Sequence, residues 1–451
     1  MTNVMPSLAA NLRLLTLLRI GSLCAVAVLT FAGTSHADYA VGEAKLSGRT
    51  MGTTWHATVD YNAHDVSEGM VQGFIDERLV EINKRMSTYD PESELSRFNS
   101  SESTDWFTVS EETAKVVASA LDTAKRTDGQ FDPTVGPLVN LWGFGPDGRR
   151  KEPPSEDDIA AAKARMGYAK VEARLDPPAL RKSQADVYLD LSAIAKGYAA
   201  DAVAEMLYDA AQSNYVMVEI GGEIRTLGVK TSGDPWRIGI ERPNSNARMI
   251  SHVVEITNGD AIATSGDYRN YFKTKGQRYS HTIDPATSRP VTHNLATVSV
   301  RCPTCMEADA LATALSVMGP EKGYAWATDH NIAAIFVERT EQGFREQVTP
   351  AWKKLDTSFE PQAAPKSPTT TAQEPEKGNM LTYLVITIVV FVLAITGMAI
   401  GVIVSNRRIK GTCGGISNLQ GSDGKTACEL CSNPSPTCTG NPEQREPVEA
   451  S

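Results

Sequence analysis

The 451-residue sequence predicts an α+β fold in which mainly antiparallel sheets pack against helices. Short runs rich in β-branched residues predict strands at Val216–Ile220, Val298–Val300 and Ile332–Val337. Apolar residues at helical spacing predict helices at Val71–Arg85, Glu111–Arg126, Glu156–Met166, Tyr198–Ala211 and Asp309–Met318. All of these elements fall within residues 38–358, a length that suffices for one large domain or two small ones.

The first 37 residues predict a secretory signal peptide. Arg13 and Arg19 precede an apolar stretch at residues 20–33, and Ser35-His36-Ala37 supplies small residues at the positions that matter for cleavage. Cleavage before Asp38 would place the body of the protein outside the cytoplasm. The alternative is that residues 1–37 stay in place as an uncleaved membrane anchor.

An uncharged segment, residues 380–404, predicts one transmembrane helix. Its 25 positions are enough to cross about 30 Å of hydrocarbon. Three basic residues follow it directly, at Arg407, Arg408 and Lys410, whereas Lys377 precedes it beside two acidic residues. This bias predicts a cytoplasmic tail at residues 405–451 and a periplasmic body anchored to the inner membrane. Residues 359–379 contain too few apolar groups to fold, which predicts a disordered linker.

Composition and short motifs argue against several classes of ligand. The formal net charge of −10 and the lack of basic clusters argue against nucleic acid as a partner. Glycine-bearing stretches occur at residues 218–224 and 263–268, but neither has the spacing of a dinucleotide fingerprint or a P-loop. Each stretch taken singly therefore predicts a tight turn.

Two segments carry residues suited to metal and phosphate chemistry. Asp309 and Thr313 stand four apart on a predicted helix and share one face, so that a carboxylate and a hydroxyl could bind Mg²⁺. The alternative is that Asp309 caps the helix and Thr313 is buried. Asp190–Tyr198 predicts a strand end that turns into a helix, whose first amides favour phosphate, with Lys196 as countercharge. The alternative is an ordinary corner with a solvated lysine.

A histidine three residues from a carboxylate forms a third candidate. His281 and Asp284 could act as an acid/base element or as a pair of metal ligands. A lone surface histidine is the alternative interpretation.

Taken together and in order, these motifs resemble the FAD:protein FMN transferase family. The resemblance covers nearly the whole body and rests on Met51–Trp55, Met86–Pro91, Ser93–Asn99, Gly129–Phe144, Asp190–Tyr198, Glu219–Glu223, His281–Pro285 and the helix of Asp309. It implies an enzyme that cleaves the pyrophosphate of FAD, joins FMN through a phosphoester bond to a threonine of a target protein, and releases AMP. FAD pyrophosphatase activity, giving free FMN and AMP, and a non-catalytic flavin- or metal-binding scaffold are the alternatives.

The resemblance also implies roles for individual residues. It predicts Mg²⁺ at the carbonyl of Ala193 and the side chains of Asp309 and Thr313. It predicts that FAD contacts Met51, Tyr89, Phe131, Asp132, Asp190, Lys196 and Ile283. His281 is expected to assist removal of the threonine proton, supported by Asp284.

Two positions depart from patterns found among the relatives. Some relatives carry a second acid where this chain has Ala312, which puts one metal ligand in doubt. Relatives that hydrolyse FAD carry an asparagine where this chain has Tyr89, which favours transfer over hydrolysis.

The cysteines divide by compartment. Cys302 and Cys305 would lie in an oxidising space, which allows a local disulfide, with a redox-active pair as the alternative. Four more lie in the tail, where thiols stay reduced and metal binding is expected, at Cys413, Cys428, Cys431 and Cys438. Thiolates suit zinc and iron alike, and metal binding would stabilise so short a polar segment. A disordered tail with incidental cysteines is the alternative.

The junction between the apolar segment and the tail carries a second resemblance. Residues 400–416 with Cys428–Cys431 are similar to the small membrane maturation factor of the sodium-translocating NADH:quinone reductase. That resemblance implies iron delivery to this complex. The same reductase carries FMN on threonines of two subunits, so its flavin-accepting subunits, or those of related membrane redox complexes, are the expected partners.

Overall fold

The computed structural model describes residues 41–62, 65–146, 148, 150, 152–210, 213–243, 249–256, 259–267, 270–274 and 276–356, together with Val389, Phe391, Val392 and Thr396. The chain divides into two units, residues 1–367 and 368–451. The four isolated positions of the second unit are helical. Within the described part of the chain, no helix is both long enough and apolar enough to cross a membrane.

Several predictions fall outside the described residues. The signal peptide at 1–37, the linker at 359–379 and the tail at 405–451 lie wholly outside them, and the apolar segment at 380–404 lies outside them apart from the four helical positions. These boundaries therefore remain predictions from sequence.

Seventeen strands lie in the described part of the first unit, and they are numbered in chain order. They are β1 (Val41–Thr50), β2 (Thr53–Asn62), β3 (Phe107–Thr108), β4 (Val171–Leu175), β5 (Pro178–Lys182), β6 (Tyr215–Ile220), β7 (Glu223–Gly228), β8 (Trp236–Arg242), β9 (Met249–Ile256), β10 (Ala261–Gly266), β11 (Tyr271–Thr274), β12 (Gln277–Ser280), β13 (Ile283–Asp284), β14 (Arg289–Pro290), β15 (Leu295–Cys302), β16 (Ala333–Thr340) and β17 (Gly343–Val348). Eight form the main sheet, in the order β1-β2-β6-β7-β10-β15-β16-β17. All eight pair antiparallel to their neighbours, as predicted.

Eight α-helices accompany these strands in the same described region. They are α1 (Glu68–Met86), α2 (Glu94–Ser100), α3 (Glu111–Arg126), α4 (Gly136–Leu141), α5 (Glu156–Ala164), α6 (Ala195–Ala210), α7 (Cys305–Asp329) and α8 (Pro350–Leu355). The five predicted helices and three predicted strands are all present, with ends that differ by a few residues. α7 kinks at Gly319, which has φ 79° and precedes Pro320, so its first straight part ends where the prediction ended.

The main sheet is covered on both faces. On central strand β6, Val216, Val218 and Ile220 pack into the core shared with α1, α3 and α6, whereas Tyr215 and Met217 pack into a second core with the β8–β9 hairpin. Alternate residues of a strand point to opposite faces, which explains this division. α6 also packs against α7, so two helices lie side by side over the sheet.

The two cysteines of the body are separate thiols. Cys302 and Cys305 are both buried and neither forms a disulfide, so the pairing that the sequence allowed is absent. Burial raises the pKa of both thiols above the ordinary range. Because the thiolate is the reactive form, these surroundings disfavour the redox-active alternative.

Candidate active site

A cavity of about 1180 Å³ opens beside the start of α6 and α7. Every residue predicted to contact FAD lines it: Met51, Tyr89, Phe131, Asp132, Asp190, Lys196 and Ile283. The three predicted Mg²⁺ ligands and His281 line it as well, whereas Asp284 does not. Segments far apart in the sequence therefore converge on one site.

The tight turn between β1 and β2 forms one wall. Met51 and Gly52 both have positive φ, 48° and 73°, which is the geometry of a two-residue hairpin of type I′. Glycine adopts this conformation freely, but a methionine seldom does. Antiparallel pairing of Thr50 with Thr53 closes the turn and keeps Met51 at the cavity.

The loop that contains Asp132 forms another wall. One carboxylate oxygen accepts hydrogen bonds from the amide and hydroxyl of Thr134, at 2.8 and 2.6 Å, and the other accepts from the amide of Tyr168 at 3.3 Å. Burial raises the pKa of Asp132, although these hydrogen bonds oppose the shift. Next to it, the carbonyl of Pro133 accepts from the amide of Asp190 at 2.7 Å, so two cavity walls are joined.

The predicted turn after Asp190 leads directly into α6. The Asp190 carboxylate accepts from the amide and hydroxyl of Ser192, at 2.9 and 2.6 Å, which is a local Asx turn. The helix begins at Ala195, so Lys196 lies in its first turn and faces the cavity.

Lys196 is held between two buried carboxylates. Its Nζ lies 3.2 Å from Oε1 of Glu223 and 3.4 Å from Oδ2 of Asp309. Burial alone would lower the pKa of this ammonium, but the two negative charges outweigh that effect and the net shift is upward. Burial, with the charge of Asp309, raises the pKa of Glu223. The interpretation of Lys196 as a solvated lysine is wrong.

Asp309 does not cap its own helix. Thr304 is the N-cap of α7, and the Asp309 carboxylate instead accepts from the amide of Gly197, 3.0 Å away at the start of α6. Only 2% of Asp309 is exposed. One turn further, the hydroxyl of Thr313 lies 3.1 Å from that of Ser265 on β10.

These donors fit a hard divalent cation. Asp309 offers a carboxylate, Thr313 a hydroxyl and Ala193 a carbonyl on the same cavity, and Mg²⁺ prefers such oxygen ligands while it keeps waters and phosphate oxygens. In addition, Oε2 of Glu223 is buried without a hydrogen-bond partner. Over the described ranges, no three His, Cys, Asp or Glu side chains are grouped to hold a metal by themselves.

Position 312 faces away from this cavity. Ala312 is completely buried in a core that includes Val298 and Val300 of β15. An acid at this position would therefore enter the core in the present structure rather than reach the carboxylate of Asp309.

His281 is oriented by a backbone carbonyl. Its Nδ1 lies 3.1 Å from the carbonyl oxygen of Asn270, which can only accept, so Nδ1 carries the proton. Burial lowers the pKa of His281 and favours the neutral ring, which leaves the lone pair on Nε2. Asp284 instead accepts from the amide of Ala286 and the hydroxyl of Thr287, at 2.8 and 2.9 Å. The expected pairing of His281 with Asp284 is not formed, because that carboxylate closes a turn.

Several cavity residues were not singled out from sequence. Glu223 follows the turn at Gly221-Gly222, where positive φ values of 67° and 110° bring a buried acid to the site. Ile238 and Ile240 reach the cavity from the β8–β9 hairpin. The double glycine before an acid was a usable signal for Glu223, whereas the hairpin residues carry no distinctive chemistry.

The comparisons with known proteins agree with this geometry. The profile of the ApbE family matches residues 51–336. The chain is 45% identical over 309 residues to the FAD:protein FMN transferase of Vibrio cholerae serotype O1. The aligned region covers 68% of this chain and 91% of that protein. It is 40% identical to the FAD:protein FMN transferase of Escherichia coli K12, over 69% of this chain and 88% of that protein.

Solved structures give the same result. The flavin transferase ApbE from Vibrio cholerae superposes with a TM-score of 0.62 at 41% identity, covering 70% of this chain and 99% of that one. The apo form of the Pseudomonas stutzeri flavinyl transferase ApbE gives a TM-score of 0.64 at 38% identity, covering 71% and 98%. The antiparallel α/β body with its acidic cavity is thus of the flavin-transferase type. The chain belongs to the ApbE family.

Proposed function

We propose that the protein is a Mg²⁺-dependent FAD:protein FMN transferase. It transfers FMN from FAD to the hydroxyl of a threonine in a target protein and releases AMP. The observation that carries this proposal is the shared cavity of Lys196, Asp309, Thr313 and His281. The names of its relatives support the same activity.

Charge and shape support the following binding roles. Lys196 offers a cation to the pyrophosphate, and the amides at the start of α6 favour its oxygens. Met51, Phe131 and Ile283 offer apolar surface for flavin or adenine, and Tyr89, 68% exposed, offers an aromatic ring at the same cavity. Asp309, Thr313 and the carbonyl of Ala193 would hold the cation, which when bound offsets charge that develops on the phosphate oxygens.

His281 is the proposed general base. Nε2 of the neutral ring accepts the proton of the threonine hydroxyl while Asn270 holds the Nδ1 proton. The threonine oxygen forms a bond to the phosphorus of the FMN half, and the bond from that phosphorus to the bridging oxygen breaks. AMP leaves with that oxygen, and the proton on His281 returns to solvent or to the leaving group.

Product analysis tests this proposal against its alternatives. Deletion of the gene should remove FMN-threonine from membrane proteins, as measured by mass spectrometry of their peptides. Purified protein that releases FMN into solution without labelling a threonine would be a pyrophosphatase. Protein that binds FAD but yields neither product would be a scaffold.

The remaining segments support a proposed second function. We infer that residues 1–37 direct export, that residues 380–404 anchor the transferase on the periplasmic side of the inner membrane, and that the tail cysteines bind iron in the cytoplasm. The proposed clients are flavin-accepting subunits of the sodium-translocating NADH:quinone reductase or related complexes. The sequence of the apolar segment and tail supports this inference.

Separate complementation tests the two halves. A deletion strain expressing residues 1–358 should regain FMN-threonine, and one expressing the apolar segment with the tail should regain iron in the client complex. Recovery of both properties with residues 1–358 alone would refute the maturation role.

A further inference from the structure

Only one of the two carboxylate oxygens of Glu223 has a partner in the protein. The residue is 3% exposed and lines the cavity, and Lys196 engages its Oε1 at 3.2 Å. Its Oε2 is buried and has no hydrogen-bond partner in the protein. A buried acceptor left unpaired is costly, and native proteins rarely tolerate one without a reason. This oxygen therefore indicates a ligand that completes the site.

The charges around Oε2 indicate what kind of ligand is needed. Glu223 and Asp309 share a single ammonium, since Nζ of Lys196 lies within 3.5 Å of both carboxylates. When both acids are ionised, one negative charge remains uncompensated in a buried place, which is costly. A hydroxyl of a substrate could donate a hydrogen bond to Oε2 but could not offset the charge, whereas a divalent cation could bind the lone pair of Oε2, directly or through a water, and offset the charge as well.

We infer that Glu223 is an additional oxygen donor of the cation site, and that Lys196 is the internal counter-ion with which the divalent cation competes. This inference rests on the proposed cation at Asp309 and extends that site to the neighbouring strand. It implies that Glu223 and Lys196 have opposite effects on the affinity for the divalent cation. The acid attracts the cation, and the ammonium beside it repels the cation and occupies the same carboxylates.

Binding of Mn²⁺ alone, without FAD, to the full-length protein tests whether Glu223 and Lys196 affect cation affinity in opposite directions. The free ion is measured by electron paramagnetic resonance as the protein is titrated. Glu223→Gln should weaken Mn²⁺ affinity by about 10- to 100-fold, the usual loss when a supporting ligand is removed. Lys196→Gln should tighten it.

The matched control is Glu219→Gln. Glu219 also lines the cavity, but His56 and the amide of Gly222 engage its two oxygens at 2.7 and 2.6 Å. Its substitution removes the same formal charge and should leave the Mn²⁺ affinity unchanged.

The double variant separates a direct role from an indirect one. If Glu223 contacts the cation or its water, the loss caused by Glu223→Gln persists in the Lys196→Gln background. Wild-type affinity in Glu223→Gln, or a loss that vanishes once Lys196 is replaced, would overturn the inference. Glu223→Met serves as a second variant, and circular dichroism checks that each protein is folded.

Asp309→Asn distinguishes this failure from failure of the underlying proposal. If that variant binds Mn²⁺ as wild type does, the proposed cation site itself is wrong. If it loses affinity while Glu223→Gln does not, the inference on Glu223 alone is refuted.

Discussion

Gly197→Ala should displace the Asp309 carboxylate, and so slow flavin transfer, while it changes the stability of the fold only slightly. Gly197 lies where α6 meets α7, and a Cβ there would stand 2.3 Å from the carbonyl oxygen of Cys305 and 2.8 Å from Cβ of Asp309. Because carbon atoms normally stay about 3.5 Å from their neighbours, the helices would have to separate by about 1 Å. That movement also weakens the hydrogen bond from the Gly197 amide to Asp309.

The expected effects on stability and activity differ in size. Overpacking costs about 1–3 kcal/mol, and the better helix propensity of alanine returns about 1 kcal/mol, so the net loss is about 0–2 kcal/mol. A shift of about 1 Å in a catalytic group can lower a rate by about 100-fold. We therefore expect a folded protein whose flavin-transfer rate is about 100-fold lower.

Transfer of FMN to acceptor protein, measured by flavin fluorescence on gels, gives the rate, and thermal unfolding gives the stability. Gly73→Ala is the control, because Gly73 is an exposed position of α1 where an added Cβ would meet no other atom within 4 Å. It should gain about 0.5–1 kcal/mol and transfer normally. A wild-type transfer rate in Gly197→Ala would refute the argument that this contact sets the place of Asp309.

Two further predictions concern the site, and a third concerns Asp201, where α6 contacts α7. His281→Ala should lower the transfer rate by about 10²- to 10⁴-fold with FAD affinity unchanged. Asp284→Asn only loosens a turn and should lower the rate by less than about tenfold. Equal losses in the two variants would instead indicate that His281 and Asp284 act as a pair. Asp309→Ala, or removal of divalent cations with EDTA, should abolish transfer while the thermal transition persists, and retained transfer with Mg²⁺ would contradict the metal role. Burial raises the pKa of Asp201 to about 6, so its stabilising contribution is complete below pH about 4 and is lost as pH rises through 6. Denaturant titrations of wild type and Asp201→Asn at pH 4 to 7 should show this difference in slope, and parallel curves would contradict it.

Periodicity in the sequence predicted the helices well because one side of each helix is buried. The predicted helix at Glu111–Arg126 has the same bounds in the structure, and its buried positions recur at helical spacing. Strands were predicted less completely, since only three of those described were recognised. β1 and β2 escaped because their conformation depends on pairing with each other and with β6, which local composition does not reveal.

The site residues show where prediction from sequence stops. Motif order was enough to gather Met51, Tyr89 and Asp309 at one cavity, although they lie far apart in the chain. It was not enough to orient Asp284, because the choice between His281 and the amide of Ala286 as partner depends on the conformation of a single turn. His281 and Asp284 are close enough in sequence to pair, but the local backbone decides whether they do.

α6, which carries Lys196, and α7, which carries Asp309, are joined by hydrogen bonds at two points. These bonds help to hold Asp309 near Glu223 although the two carboxylates repel each other. The Asp201 carboxylate on α6 accepts from the amides of Cys305 and Met306 at the start of α7, at 2.9 and 2.8 Å. One turn earlier on α6, the amide of Gly197 donates to Asp309 on α7. Each helix start thus binds a carboxylate of the other helix, which the positive end of a helix favours. Moving α7 away from α6 would break both contacts, so these hydrogen bonds hold the Asp309 carboxylate beside the start of α6.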